Sequence, residues 1–551
     1  LITSKGVMQT PWSEGQNVRH LEPMGFIKFD ILGLASLRMV ETAIVHVLKR
    51  HHGINNPTFS DVRSYYNEHL HPDKIDLNDS KVYKNVFHKG KWAGVFQFTE
   101  TGAQNFCKQA KPNTIIDLAA ITSIYRPGPL SAGVDKDFVQ AKEATQNIKY
   151  LHKIVKKNTE ETYGFLIFQE QIAKLAHELG EDVSLDEGNL LRKLLTKKGT
   201  GKGHEKKDAI HKKFITGCVN KGIDKEDAQK LWDTFEYFSG YGFNKSHAVS
   251  YSILSYQCAW LLNYYPAEWM AAFLDKEPET RKEKAIGIAK FHGFDIQPLN
   301  VNTSGRVWEI SEDGNTLIQP LTSIKGLGDA AMDQIIKYRP FEDVGEFLFH
   351  EKMTYSKLNK KALDVLCRSG ALDTLIDDRF TGRKHFWSAI AKERPRKEKN
   401  LDENIEMYAE MGDFSKEEVI HYLADLTGVF PVSLVVNDVV RKKLSALQDN
   451  GQAPDISDYD PEEPLHHNGR GQAVVWFIPR KVTVKKTKKG KAYYDILVTD
   501  SNSGNEHIKC WGVDPMRDTV QVNRPYLAAL DYSPDWGFST RAMYATFRIL
   551  G

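Results

Sequence analysis

Ser239-Gly240-Tyr241-Gly242-Phe243-Asn244-Lys245-Ser246-His247 packs two glycines, two aromatic rings, an amide, a lysine and an imidazole into nine consecutive positions. Glycines let a backbone approach a ligand closely. The lysine and imidazole can answer phosphate charge, and the tyrosine offers a base or sugar a flat face. An apolar helical run follows from Ala248 to the Tyr264-Tyr265-Pro266 stop. The stretch therefore reads as a loop at a helix N-terminus, where backbone N–H groups and the macrodipole favour an anion. A nucleoside triphosphate fits every part of this description. Composition alone fits a glycine-kinked turn with exposed polar residues equally well.

The order of further blocks separates the two readings. Phe26-Ile27-Lys28-Phe29-Asp30-Ile31-Leu32-Gly33-Leu34 comes first, then Gly94-Val95-Phe96-Gln97-Phe98 and Tyr125-Arg126-Pro127-Gly128-Pro129-Leu130. Tyr163-Gly164-Phe165-Leu166-Ile167-Phe168-Gln169-Glu170-Gln171 and Leu191-Arg192-Lys193 follow, and the glycine-rich stretch closes the series. In this order the blocks resemble the alpha subunit of bacterial DNA polymerase III, the C-family replicative polymerase. The likeness runs from about residue 25 to 372 and returns weakly after 469.

Bulk properties set the frame. A chain of 551 residues is too long for one core. Its 41% hydrophobic and 26% charged residues are those of an ordinary globular protein, without signal peptide or membrane span. The five cysteines are scattered with no C-x-x-C pair, which argues against a zinc site or disulfide frame and fits a reducing cytoplasm. A net charge of only +2 leaves nucleic-acid affinity to local basic patches.

The fold expected is multidomain and mainly α, with a palm β remnant at the N-terminus and a C-terminal all-β OB-type barrel. The run 26–32 reads as a strand with Lys28 and Asp30 on one face, and 35–50 as a helix with Leu37, Val40, Ala43, Ile44 and Val47 apolar. Helical patterns dominate 81–274, broken by a basic glycine-rich loop at 196–203. Alternation around 307–310 and 317–318 suggests a small hairpin. Ile324-Lys325-Gly326-Leu327-Gly328-Asp329 places a Gly-x-Gly turn between short helices, the helix-hairpin-helix pattern, whose N–H groups can hold a DNA phosphate. The turn could equally be structural. Residues 383–402 read as a flexible or helical connector and 455–467 as an acidic linker. The divisions expected are 1–35 palm, 36–298 fingers, 299–380 helix-hairpin-helix, 381–468 connector and linker, and 469–551 barrel. In the barrel Lys486, Lys488 and Lys489 form a basic hairpin. Tyr493 and Tyr494 are candidate stacking platforms, with Trp476 and Trp511 assigned to the core.

The resemblance carries roles onto individual residues. Asp30 resembles the third of the family's three catalytic aspartates, a ligand of a two-metal Mg2+ site, and Lys28 would reach a primer or nucleotide phosphate. The family's other two aspartates occupy a Pro-Asp-x-Asp strand that is not found here; Pro72-Asp73-Lys74-Ile75-Asp76 is out of order. The site is therefore expected to be incomplete and the chain inactive without PHP, thumb and palm parts. That fits a fragment, a split member or a bacteriophage-encoded one. Arg126, Lys245 and His247 would hold triphosphate oxygens, Tyr241 or Phe243 the base or sugar, with Asn244 in the same cover. Arg192, Lys193, Lys197 and Lys198 would meet template or primer phosphates, as would Lys325, Gly326 and Gly328 in the hairpin. The implied partners are primer–template DNA, dNTPs, the N-terminal part of the same polymerase and, by position but not by residue, a sliding clamp; no membrane is implied. The rival reading is a diverged DNA-binding or replisome-scaffold fragment without catalysis. A helicase or ligase is disfavoured, because neither a G-x-x-x-x-G-K-[ST] loop nor a ligase lysine motif occurs.

Overall fold

The computed structural model describes residues 2–4, 7–9, 25, 33–126, 129–130, 133–144, 148–196, 202–239, 242–278, 281–461, 463–487, 490–500, 505–514, 518–533, 536–541 and 543–550. The expected 26–32 strand, with Lys28 and Asp30, lies outside them, as do Lys197, Lys198, Tyr241, Lys488 and Lys489. Two short strands near the start, β1 (Ile2–Ser4) and β2 (Val7–Gln9), pair antiparallel.

Helices build the first two-thirds of the chain. The helix expected at 35–50 is α1 (Ala35–His52), which buries Val40, Ala43, Ile44 and Val47. Leu37, expected on that face, is 46% exposed, because it sits in the first turn before the stripe meets its neighbour. Four basic residues end α1, where the helix dipole favours cations, and Gly53 closes it at φ 68°. Further on come α2 (Ile115–Ile124), α3 (Gln169–Leu179), α4 (Leu185–Thr196), α5 (Lys202–Asn220), α6 (Lys225–Ser239), α7 (Lys245–Tyr264), α8 (Pro266–Lys276) and α9 (Lys282–Phe291). One core gathers α1, α2, α7 and α8 around the buried Tyr83, Phe98, Tyr256 and Trp269. A second gathers α3 to α6 around Phe214, Trp232 and Phe235.

The helix expected from residue 248 begins three residues earlier. Asn244 caps it, its side-chain oxygen accepting the His247 N–H at 2.9 Å. Lys245, Ser246 and His247 therefore belong to the first turn of α7 and not to a loop.

The expected hairpin is present as β4 (Glu309–Ile310) antiparallel to β5 (Thr316–Ile318), with β3 (Asp295–Gln297) added parallel to β5. Its Trp308 and Leu317 pack into the first core. The Gly-x-Gly turn leads into α10 (Asp329–Tyr338), and α11 (Lys360–Arg368) packs in the same third core. That core also takes Phe386, Ala389 and Ile390, all essentially buried, so this stretch of the expected connector is packed structure. A later helix, α12 (Lys416–Thr427), starts on a Ser415/Glu418 capping box.

The C-terminal part is all-β. Strands β6 (Ala473–Lys486), β7 (Ala492–Thr499), β8 (Asn505–Trp511), β9 (Tyr526–Ser533) and β10 (Gly537–Thr540) pair in the circuit β6-β7-β8-β10-β9-β6, and β11 (Phe547–Ile549) extends β9. The circuit closes because β10 pairs both β8, in parallel, and β9, antiparallel. Closure removes the exposed edges of the sheet. Strand β6 carries a bulge between Pro479 and Lys481. The bulge turns Arg480 out of the ladder to pair with Glu283 of α9 and to lie 4.2 Å over the Phe430 ring. The expected acidic linker is likewise packed. Asp455 is 4% exposed and accepts the Trp476 indole N–H at 2.6 Å.

Candidate nucleotide and nucleic-acid interface

Helix α2 places Arg126. Thr114 caps α2, and Asp117 in its first turn is buried, paired with Lys142 at 2.6 Å and accepting the Tyr163 hydroxyl at 2.8 Å. Burial and the Asp117 charge push the Tyr163 phenol well above its ordinary range, so it stays a donor to that carboxylate. With its start held, α2 delivers Tyr125 and Arg126 at its far end. Arg126 is exposed, and its guanidinium carbon lies 4.4 Å from the centroid of the Phe243 ring. A cation over an aromatic face contributes about 0.5–2 kcal/mol, depending on how dry the contact is.

Phe243 is fixed from below by the 163–171 block. Its N–H donates to Ile167 O at 3.0 Å, and its carbonyl accepts the Gln169 N–H at 2.9 Å. Gln169 also donates through its side chain to Gly242 O at 2.8 Å and accepts from Arg192 at 2.8 Å. Gln171 is buried and accepts the N–H groups of Ile167 and Phe168 at 2.8 and 2.9 Å. This glutamine-rich block is thus a hydrogen-bond frame for the turn. Arg192, expected on a DNA phosphate, is half-buried with one N–H held by Gln169; Lys193 is exposed.

The first turn of α7 meets carboxylates at once. Glu170 accepts the Asn244 amide at 2.7 Å and the Lys245 backbone N–H at 2.9 Å. Glu161 accepts the Lys245 ammonium at 2.6 and 2.8 Å, with both side chains about one-third exposed (30% and 36%). His247 is exposed and stacks along a ladder: its ring lies 5.4 Å from Phe243 and 4.3 Å from Tyr251, which is 5.1 Å from Phe96. Arg126 and His247 therefore both meet the Phe243 ring, while Lys245 of the same turn is drawn to Glu161 and lies 5.7 Å over the Phe168 ring. Glu161 was not singled out from sequence, since its partner lies 84 residues away.

The Gly-x-Gly turn differs. Gly326 takes φ 90°, open to glycine at little cost, and Gly328 starts α10 without a side-chain cap. The Lys325 N–H donates to Leu426 O of α12 at 2.8 Å. Lys361 of α11 lies against Gly326: a Cβ there would sit 3.4 Å from Lys361 Cε. The acidic start of α10 is held by Arg306, on Asp329 at 3.1 Å and on Asp333 at 2.5 Å.

On the barrel, alternation assigns the tyrosines to opposite faces. Tyr494 is 4% exposed in the barrel core, its hydroxyl donating to Asp518 O at 2.5 Å, and so offers no face to a base. Tyr493 points outward, 4.6 Å from its cross-strand partner Trp511. Trp511 is half-buried outside the core to which it was assigned, whereas Trp476 is buried against the connector helices. Around the outward pair stand Lys485 and His507, both on Asp495, and Lys509, whose ammonium lies 5.5 Å over Trp536. Trp536 is 72% exposed, and sequence reasoning missed it because no strand pattern surrounds it. Lys486 is exposed at the end of β6.

No three His, Cys, Asp or Glu side chains among the described residues are arranged to hold a metal ion, and Asp30 lies outside them. No described helix is long and apolar enough to cross a membrane.

Residues 54–222 match a family model described as the bacterial DNA polymerase III alpha subunit finger domain, and 293–381 match a helix-hairpin-helix motif. The chain is 33% identical over 361 residues to DNA polymerase III subunit alpha of Campylobacter jejuni, covering 64% of this chain and 28% of that protein. The same subunit of Helicobacter pylori strain 26695 is 31% identical over 427 residues, covering 74% and 33%. That of Aquifex aeolicus is 33% identical over 358 residues, covering 64% and 29%. The chain thus spans between 28% and 33% of the length of these relatives.

Proposed function

From a chain that is kin to the bacterial DNA polymerase III alpha subunits, and that carries their finger domain and a helix-hairpin-helix motif, we propose the nucleotide-covering and DNA-gripping portion of a template-directed replicative polymerase. The reaction joins the primer 3′ oxygen to the α-phosphorus of a dNTP and releases pyrophosphate. The observation that carries this reading is the Arg126–Phe243 contact at 4.4 Å, which joins the end of α2 to the start of α7. Arg126, Lys245 and His247 then face one anion from two elements. Fixed cations of this kind stabilise charge that develops on the leaving pyrophosphate. Phe243 and Tyr241 supply the flat face for base or sugar, and Asn244 holds the turn. Lys245 must exchange Glu161 for phosphate oxygen as the nucleotide enters.

Asp30 and Lys28 are assigned to the metal-bearing strand, with the remaining Mg2+ carboxylates contributed by other polymerase segments. The divisions at 36–298, 299–380, 381–468 and 469–551 are proposed as fingers, hairpin region, connector and OB-type barrel. The closed five-strand circuit with its β8–β10 parallel pair supports the last. Lys193, Lys325, Gly326, Gly328 and Lys486 are assigned to DNA phosphates and Tyr493 to a base.

The test is primer extension with the upstream polymerase portion supplied in trans. Asp30→Asn should abolish synthesis, and Arg126→Ala should raise the dNTP KM and lower kcat together. An Arg126→Ala enzyme with unchanged KM and kcat sinks the assignment. One observation favours the non-catalytic alternative, namely that carboxylates already occupy Lys245 and the α7 start. The two readings part on one measurement. A polymerase cover tightens primer–template binding when the complementary dNTP is added, and a plain DNA-binding module does not.

A further inference from the structure

Helix α7 has a second end. Asn263 lies 18 residues beyond Lys245, about 27 Å along the axis, so what it borders is separate from the surface just described. A cavity of about 390 Å³ opens there between the 83–91 segment, the α7–α8 junction and the 292–294 turn. Its polar lining is Asn85, Lys89, Lys91, Asn263 and His292, without a carboxylate. A larger cavity, near 700 Å³, mixes both signs of charge, with Asp343, Glu346, Glu351, Glu398 and Asp402 beside Lys352 and Arg379 in its wall.

The donors in the smaller cavity lack acceptors. Among the described residues neither Lys89 nor Lys91 has an ion-pair partner. Asn85 donates its amide to Asn263 Oδ1 at 3.0 Å, which leaves the Asn263 N–H groups without a protein acceptor among those residues. Burial and the Lys91 charge hold the His292 imidazole down at about 4, so the ring is neutral and keeps one N–H to donate. Helix α8 starts at the same cavity with Pro266 as its first residue and takes no side-chain cap from Tyr265. Its positive end lies there too, and the Glu268 carboxylate of its first turn is held by Arg50 and His51 at 3.3 and 2.9 Å. Val86, Leu262 and Phe294 form its buried apolar floor, beneath the exposed Lys89 and Lys91.

We propose that this cavity is a second anion site, which binds a phosphate group through Lys89, Lys91, the Asn263 amide and the His292 ring. A terminal phosphate on DNA and free pyrophosphate present the same oxyanion, and the experiment separates them. The full chain, labelled at histidine, is titrated at fixed pH and ionic strength with pyrophosphate, with a 5′-phosphorylated trinucleotide and with its 5′-hydroxyl counterpart; His292→Gln identifies the signal. The expected result is a saturable His292 shift with one or both phosphate probes and none with the 5′-hydroxyl trinucleotide. Lys89→Ala/Lys91→Ala should raise Kd at least about tenfold, and the Lys→Arg pair should retain binding. A stronger response to the phosphorylated trinucleotide names a DNA end as the ligand, and a response to pyrophosphate alone names the free ion. A non-saturable shift, or equal affinity in the double-alanine variant, overturns the site. Because the readout is binding at His292, failure here leaves the Arg126–Lys245 reading untouched.

Discussion

The turn before α7 and the turn before α10 are built from the same parts, glycine and lysine at a helix start, yet they meet anions in different states. At α7 the positive end is already occupied: Asn244 caps the helix, Glu170 accepts the Lys245 N–H, and Glu161 holds the ammonium. At α10 no side chain caps the helix; Gly326 stays open at φ 90°, and Lys361 and Lys325 flank it. The first is arranged for exchange, since an incoming phosphate must displace a carboxylate. The second is arranged for capture. A site that must release its product every cycle is served by the first arrangement, and one that holds a DNA backbone by the second.

The largest expected effect breaks the comparison at its centre. If α7 carries the nucleotide cover, Arg126→Ala should cost roughly 100-fold or more in kcat/KM for dNTP incorporation, while primer–template affinity changes little. Single-nucleotide incorporation kinetics alongside a DNA-binding titration give both numbers. Loss of DNA affinity with kcat/KM intact would move Arg126 from the cover to the grip.

Such measurements belong near neutral pH, and His46 gives the reason. It is 6% exposed in the first core, and burial, with Lys49 second, lowers its pKa to about 4. The unfolded ring takes up its proton near 6.5, so between those values the unfolded state binds more protons and stability falls as pH falls. The window from pH 6.5 to pH 4 should cost the first core about 3 kcal/mol through this group alone. Denaturant melts at pH 7 and pH 4.5 measure the loss, and His46→Leu should flatten the dependence. An equal slope in that variant would mean the acid sensitivity lies elsewhere.

A smaller effect sharpens the difference between exchange and capture. Glu161→Gln removes the competitor of Lys245 while keeping its shape. The pair is about one-third exposed, so it is worth at most about 1 kcal/mol, and dNTP affinity should rise roughly two- to fivefold. Weaker binding would show that Glu161 positions Lys245 instead of competing for it.

What could be read beforehand followed the range of the interactions. Local rules reach far: apolar spacing locates α1, and the C-terminal end reads as all-β. Alternation also decides the tyrosines, because Tyr493 and Tyr494 are neighbours on β7 and must face opposite sides. Only the partner register says which side is core. Strands β9 and β10 carry no clean alternation of their own and are defined by the partners that β6 and β8 supply. The start of α7 was placed late because glycines suggested loop, whereas the Asn244 cap and Glu170, 75 residues away, draw Lys245 into helix. Glu161 and Lys361 had no local signature at all. Each matters only through a contact that folding creates.

The smallest expected effect concerns that last lysine. Lys361 adds a charge beside the open Gly326 turn, and Gly326 supplies backbone shape, so two substitutions separate these contributions. Lys361→Ala should lower the slope of log K against log salt by about one unit and weaken binding alike on every DNA sequence. Gly326→Ala leaves the charges in place, and its new Cβ meets Lys361 only at an ordinary 3.4 Å. The left-handed backbone it must keep costs roughly 1–2 kcal/mol. Affinity should fall while the salt slope stays. If both variants changed the slope equally, the turn would be acting through its lysines alone, and the contrast with the capped start of α7 would reduce to a difference in charge.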